Sequence, residues 1–165
     1  MTDSSKRVNA TGGCLCGKVR FTVGGPLRAV VECHCHSCRS YGGGASHTTA
    51  VRRLDLSVQG EASLLWYSHT PGVRRGCCGL CGAALFYERE ALPEVSIYAG
   101  AIDEPTGLSF GARTFMAEAA DYYDVADVAP QVPDQNVQLR DDEAFSGVRQ
   151  AEGRCLCGSV RYAVN

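Results

Sequence analysis

The chain contains a series of short segments in which apolar and polar residues alternate. Residues 18–23 read Lys, Val, Arg, Phe, Thr, Val, and this period of two is typical of a strand with one buried face. Glycines and a proline at 24–26 end that strand, and residues 27–31 predict a second one, so the two are expected to form a hairpin. Further β-rich runs lie at residues 47–51, 54–58, 63–67, 83–87 and 95–99. The pattern predicts a mainly β fold.

The same pattern divides the chain into four parts. Residues 115–128 fit either a short helix or an edge strand, and two prolines then mark the end of the domain. The last segment, from Gly153 to Tyr162, repeats Gly13 to Phe21 almost letter for letter, with one arginine inserted. We therefore expect a flexible N-terminus, a main domain, a polar linker and a partial repeat of the opening strand, at residues 1–10, 11–133, 134–150 and 151–165.

Composition excludes several classes of partner. The net charge is −2 and lysine and arginine are not clustered, so neither nucleic acid nor an anionic membrane surface is expected to bind. The N-terminus has no apolar run of the kind found in signal peptides, and no stretch approaches the roughly 18 apolar residues that a membrane span needs. A cytoplasmic, reducing location is the expectation. There, ten closely spaced cysteines are better explained as metal ligands than as disulfides.

Three of these cysteines lie within six residues, as Cys33, Cys35 and Cys38. In an extended chain Cys33 and Cys35 point to the same side, and a turn after them can bring Cys38 to the same ion. Zinc held by three protein ligands is typical of a catalytic centre, whereas a structural centre has four. His34 and His36 are the nearby candidates for a fourth ligand, but both face away in an extended chain. Spacing alone leaves an open and a closed site equally plausible.

A second interpretation of the same segment is redox chemistry, because Cys35 and Cys38 also form a C-x-x-C pair. That function normally accompanies alternating strands and helices, which the pattern does not predict here. We rank it well behind metal binding.

Two further cysteine pairs lie in glycine-rich turns. Cys14 and Cys16 form a C-x-C pair, and Cys78 and Cys81 form a C-x-x-C pair followed by glycine, as in a zinc knuckle. Together they predict a closed, structural zinc site. Cys77 is an alternative to Cys78, but the C-x-x-C spacing favours Cys78, and Cys77 is then expected to be a small buried hydrophobic residue.

These motifs, in this order, resemble the glutathione-dependent formaldehyde-activating enzyme family, also called the centromere protein V family. The resemblance rests on Gly13 to Phe21, Cys33 to Arg39, Cys78 to Gly82 and the later Ile97 to Asp103, and it covers roughly residues 12–130. It implies a β-tent of antiparallel sheets and two zinc ions per chain. By the resemblance the structural ion is held by Cys14, Cys16, Cys78 and Cys81, and the open, catalytic ion by Cys33, Cys35 and Cys38.

The resemblance also implies an activity, the reversible joining of formaldehyde and glutathione to S-hydroxymethylglutathione, which is a carbon–sulfur lyase reaction. A zinc ion with three thiolates can bind an incoming thiol such as glutathione as its thiolate. His34 or His36 is a candidate for moving the proton, and the alternative for each is an imidazole that supports the site or faces solvent. Arg39 is a candidate for binding a substrate carboxylate, and the alternative is a surface salt bridge. The main alternative is a zinc-stabilised binding module without turnover; a thiol–disulfide oxidoreductase is a third.

Overall fold

The computed structural model describes residues 9–123, 125 and 151–164. Within these ranges the chain forms twelve strands, one α-helix and four short 3₁₀ turns. The elements, in chain order, are β1 (Ala10–Gly13), β2 (Arg20–Val23), β3 (Val30–Cys33), α1 (His36–Gly42), β4 (Ser46–Arg52), β5 (Leu56–Gln59), β6 (Leu64–Thr70), β7 (Val73–Cys78), β8 (Ala84–Arg89), β9 (Glu94–Tyr98), β10 (Phe110–Thr114), β11 (Ala151–Arg154) and β12 (Arg161–Val164).

The strands form three sheets. A small sheet has the order β1-β2-β5, a large one the order β10-β3-β4-β9-β8-β7-β6, and β11 pairs with β12 alone. The prediction of a mainly β fold is confirmed. All pairings are antiparallel except that of β10 with β3, which is parallel and was not expected. No helix in the described ranges is long and apolar enough to cross a membrane.

The prediction that residues 18–23 and 27–31 form a hairpin is wrong. β2 pairs with β1 on one side and with β5 on the other, whereas β3 lies in the large sheet between β10 and β4. Gly24 donates its backbone N–H to the carbonyl of Asp55 at 2.8 Å, which ties the end of β2 to the turn before β5. The segment after β2 therefore carries the chain from one sheet to the other, because β2 already has a partner on each edge.

The core lies between the small and the large sheet. Phe21 of β2 and Phe86 of β8 are each 1% exposed, and their rings meet edge to face with centroids 5.5 Å apart. Val19, Val23, Leu85 and Ile97 are fully buried around them. The alternation read in residues 18–23 is thus the alternation of core and surface in β2.

The helix α1 was not expected, since the sequence predicted only a turn between Cys35 and Cys38. It begins directly after Cys35, which is still extended (φ −60°, ψ 152°), and it ends at Gly43 in the left-handed conformation (φ 80°). The Gly43 N–H donates to the Arg39 carbonyl at 2.8 Å and closes the last turn. A glycine at this position can adopt the positive φ that such an ending requires.

Several predictions of domain organisation concern residues outside the described ranges. The flexible N-terminus (residues 1–8 of it) and the linker at 134–150 fall there, as does the end of the ambiguous segment at 126–128. The described part of that segment holds one 3₁₀ turn at Met116–Glu118. The tail forms two strands rather than the single strand expected from the repeat.

Candidate metal centres and the cavity between them

Four cysteines from two distant turns come together at one edge of the core. The sulfur atoms of Cys14, Cys16, Cys78 and Cys81 all lie within 4.8 Å of one another. The Cys14 and Cys16 sulfurs are 3.5 Å apart, and those of Cys16 and Cys78 are 3.7 Å apart. Four sulfurs placed tetrahedrally at a zinc–sulfur distance of about 2.3 Å are about 3.8 Å from one another. These side chains therefore fit a tetrahedral zinc ion.

The two turns that present these cysteines have the same design. The Gly17 N–H donates to the Cys14 carbonyl at 3.0 Å, and the Gly82 N–H donates to the Cys78 carbonyl at 2.9 Å. Both glycines have a positive φ, of 75° and 74°. In addition, the Val19 N–H donates to the Cys14 sulfur at 3.2 Å. Each turn thus wraps backbone around its pair of sulfurs, which is how zinc knuckles hold their ligands.

Because these thiols lie close together, their pKa values differ from one another. Burial disfavours the Cys14 thiolate, but the Val19 N–H and the neighbouring sulfurs outweigh it and lower the pKa of the Cys14 thiol to about 6. The Lys18 N–H favours the Cys16 thiolate, but desolvation and the neighbouring sulfurs outweigh it and raise the pKa of the Cys16 thiol to about 11. A metal ion that binds this group displaces the remaining protons, so binding is coupled to proton release.

The second group consists of Cys33, Cys35 and Cys38, whose sulfur atoms also lie within 4.8 Å of one another. Cys33 is the last residue of β3, Cys35 is the cap of α1 and Cys38 lies in its first turn. The Arg39 N–H donates to the Cys35 carbonyl at 3.1 Å, which starts the helix between the second and third cysteine. No fourth His, Cys, Asp or Glu of the described residues joins the group. These three sulfurs fit a zinc ion that keeps one position open.

A cavity of about 250 Å³ adjoins all three cysteines of this second group. Strands β7, β8 and β9 contribute to its lining the side chains of Arg75, Tyr87, Ser96 and Tyr98. Serine and threonine side chains, Val73 and Phe115 complete the lining, which contains no carboxylate among the described residues. The three-cysteine group therefore adjoins a small chamber that is lined by apolar surface as well as by hydroxyl groups and the Arg75 cation.

Burial and neighbours also shift the proton affinities in this chamber. Burial, together with the other two sulfurs, raises the pKa of the Cys35 thiol to about 12. Burial acts on Cys38 too, but Ser46, the neighbouring sulfurs and Arg75 stabilise its thiolate and lower its pKa. Burial raises the pKa of Tyr98 to about 12 although Arg75 lies nearby, so the phenol keeps its proton at neutral pH.

Sequence reasoning missed Arg75. It is 4% exposed, one of its terminal nitrogens lies 4.0 Å from the Cys38 sulfur, and its guanidinium carbon lies 5.0 Å from the centre of the Tyr87 ring and 5.4 Å from that of Tyr41. Its Nε–H has no hydrogen-bond partner in the described part of the chain. Strand alternation in β7 places Arg75 on the same face as Cys77, but nothing in the sequence says that this face meets the three cysteines.

The two histidines of the central motif have different positions. His34 is completely buried, its Nδ1 lies 2.8 Å from the Tyr123 hydroxyl, and it is not among the described residues that line the cavity. His36 is exposed on α1, and its ring contacts Ser40 at 3.3 Å. The Arg39 side chain donates to the His34 carbonyl at 3.0 Å. The predicted proton-transfer role of His34 stays a prediction, and neither this carbonyl contact nor the described cavity lining places Arg39 in the chamber.

The remaining cysteines lie outside both groups. Cys77 is half-buried, in contrast to the buried residue that was expected, and it is not one of the four clustered sulfurs. The Cys155 and Cys157 sulfurs are 3.3 Å apart and join no third metal-binding side chain within the described ranges. Their hairpin copies the first one closely, since the Val160 N–H donates to the Cys155 sulfur at 3.2 Å.

Comparison with known proteins agrees with the resemblance of the motifs. A crystal structure of a Rhodobacter sphaeroides protein is similar, with 25% sequence identity and a TM-score of 0.52 over 63% of this chain and 99% of that one. The model of the glutathione-dependent formaldehyde-activating enzyme family matches residues 9–118. That range contains both clustered cysteine groups and the cavity, and it excludes the tail. The chain belongs to the glutathione-dependent formaldehyde-activating enzyme family.

Proposed function

We propose that this protein is a zinc-dependent carbon–sulfur lyase that acts on adducts of glutathione with an aldehyde, such as S-hydroxymethylglutathione. The observation that carries the proposal is the three-cysteine group, which opens on a cavity and gains no fourth protein ligand from the described residues. The proposal assigns the structural ion to Cys14, Cys16, Cys78 and Cys81, and the catalytic ion to Cys33, Cys35 and Cys38. Family membership supports the pairing of glutathione with formaldehyde.

A zinc ion held by the three cysteines would supply one thing, the stabilisation of the substrate sulfur as a thiolate at neutral pH. In the direction of synthesis, the sulfur lone pair attacks the aldehyde carbon, a carbon–sulfur bond forms and the carbonyl π electrons move to oxygen. That oxygen takes up one proton, which balances the proton lost by the thiol. In the lyase direction the same carbon–sulfur bond breaks, and the hydroxyl proton balances the one that the thiol regains.

The cavity offers hydroxyl groups for the oxygen atom. Tyr98 lines it and keeps its phenolic proton, so we assign to Tyr98 the hydrogen bond to the carbonyl oxygen and the transfer of the proton. His34 contacts Tyr123 and does not line the described cavity, so its own part in proton transfer stays a prediction. The reacting atoms would lie among half-buried side chains, where electrostatic interactions are stronger than in bulk water.

The rival function is a zinc-stabilised binding module without turnover. It would share the fold and the four-cysteine centre but would not need a chamber at the second centre. The two functions are separated by an exchange experiment with the zinc-loaded chain, in which NMR follows the interconversion of ¹³C-formaldehyde and S-hydroxymethylglutathione. We expect faster exchange than in buffer, lost in Cys35→Ser and kept in Cys77→Ser. Exchange at the buffer rate with two zinc ions bound would support the binding module.

A further inference from the structure

Arg75 differs from the arginines that form ion pairs in the described chain, because it is buried and has no carboxylate partner. Arg53 and Arg74 both pair with Glu88, Arg20 pairs with Asp103, and Arg113 pairs with Glu32. No such ion pair holds Arg75 in the described ranges, although only 4% of it is exposed. A buried cation is costly unless a negative charge faces it. The surroundings of Arg75 should therefore contain an anion.

The groups around Arg75 identify that anion. The rings of Tyr41 and Tyr87 offer their faces, which attract a cation but carry no net charge. The Cys38 sulfur, 4.0 Å from the guanidinium, becomes a thiolate when it holds a metal ion. Arg75 thus lies beside the metal centre and lines the same cavity.

The total charge of the metal centre explains why a cation at the position of Arg75 matters. One zinc ion and three thiolates carry a total charge of about −1. A substrate thiolate in the open position makes the total charge about −2. Arg75 is the one cation in the described lining of the chamber. A centre that is already negative repels an incoming anion, and this repulsion is stronger in a buried, low-dielectric site than in water.

We propose that Arg75 is a positioning residue that enables the three-cysteine centre to accept an anionic sulfur as its fourth ligand. Its charge returns the loaded centre to about −1. This inference rests on the proposed function. It deepens that function by naming a residue that acts on the sulfur end of the substrate, whatever the rest of the molecule carries.

The test uses the full chain loaded with Co²⁺, whose sulfur-to-metal charge-transfer absorption reports each added sulfur ligand. Glutathione and 2-mercaptoethanol are titrated separately into the wild type and Arg75→Gln, with metal content measured in each sample. The four-cysteine centre is complete and contributes a constant background. We expect Arg75→Gln to keep both metal ions and to bind both thiols about 10- to 100-fold more weakly, the loss typical of a charge-assisted contact.

Arg74→Gln is the matched control. It removes the same charge from the adjacent position of β7, but Arg74 faces the other way, stacked 4.1 Å from the centre of the Trp66 ring and paired with Glu88. Its thiol binding should equal that of the wild type. If Arg75→Gln does not fold, Arg75→Lys replaces it and should weaken both thiols by a smaller factor, because it keeps the charge and loses the planar fork.

The outcomes separate this inference from the proposed function. No spectral response of the wild type to either thiol contradicts the proposed function and, with it, this inference. A wild-type response that Arg75→Gln retains in full overturns the inference alone. Weakening of glutathione but not of 2-mercaptoethanol also overturns it, because Arg75 would then bind a carboxylate of glutathione rather than support the sulfur.

Discussion

Arg75 and Cys78 lie three residues apart on β7 and face opposite sides of the large sheet. Arg75 lines the cavity beside the three-cysteine group, whereas Cys78 is buried in the core and belongs to the four-cysteine group. One strand therefore connects the two centres. We expect loss of metal from the four-cysteine centre to disturb the wall of the chamber as well, since β7 ends in one of its ligands.

The first prediction concerns the four-cysteine centre. Cys78→Ser should unfold the domain or destabilise it severely, because a structural zinc ion contributes on the order of 10 kcal/mol of apparent binding free energy to folding. Cys77→Ser, one position away and outside the group, should have a mild effect. Zinc content and thermal unfolding followed by circular dichroism measure both variants. The reverse order of the two effects would mean that the ligand assignment is wrong.

The second prediction concerns the open centre. Cys35→Ser should bind one zinc ion instead of two, lose lyase activity and keep its fold, because the other centre stabilises the core independently. Metal analysis of the purified variant, together with its circular dichroism spectrum, provides the measurement. Two zinc ions per chain in this variant would rule out Cys35 as a required ligand.

The third prediction concerns a close backbone contact behind the first cysteine turn. Gly60 has a φ of +76°, and a Cβ placed on it would lie 1.9 Å from the Lys18 carbonyl oxygen. Gly43 has a similar φ of +80° but nothing within 4 Å of its Cβ position. Gly43→Ala should cost about 1 kcal/mol of unfolding free energy, the strain of the left-handed backbone alone.

Gly60→Ala should cost about 3 kcal/mol or more, since the turn that carries Cys14 and Cys16 must also move. Urea unfolding of both variants at the same zinc concentration compares them. Equal losses of stability would show that the backbone at Lys18 moves away from the added methyl group with no loss of unfolding free energy.

The fourth prediction concerns the tail. Cys155 and Cys157 repeat the first half of the four-cysteine centre, yet Cys14 and Cys16 already hold that place beside Cys78 and Cys81. Deletion of residues 151–165 should therefore leave two zinc ions per chain and the melting temperature almost unchanged. A decrease from two zinc ions to one in the deletion variant would mean that the tail supplies ligands.

The local pattern determined much of the β structure. Alternation at residues 18–23 gave the buried face of β2, and glycine-flanked C-x-C and C-x-x-C turns identified the cysteines that cluster around Cys78. Such features depend on neighbours within a few residues, so they can be predicted from the sequence without knowledge of the fold. The helix α1 was missed because its seven residues are too few for a clear period, and its stop signal, Gly43, lies within a run of three glycines.

Only the tertiary structure decided which distant elements meet. Strand pairing depends on the whole sheet, so the local sequence of β2 and β3 could not show that they belong to different sheets, nor that β10 joins β3 in parallel. For the same reason Arg75, an ordinary arginine in the sequence, was not recognised. Its importance comes from the approach of β7 to α1, which buries a cation 4.0 Å from the Cys38 sulfur.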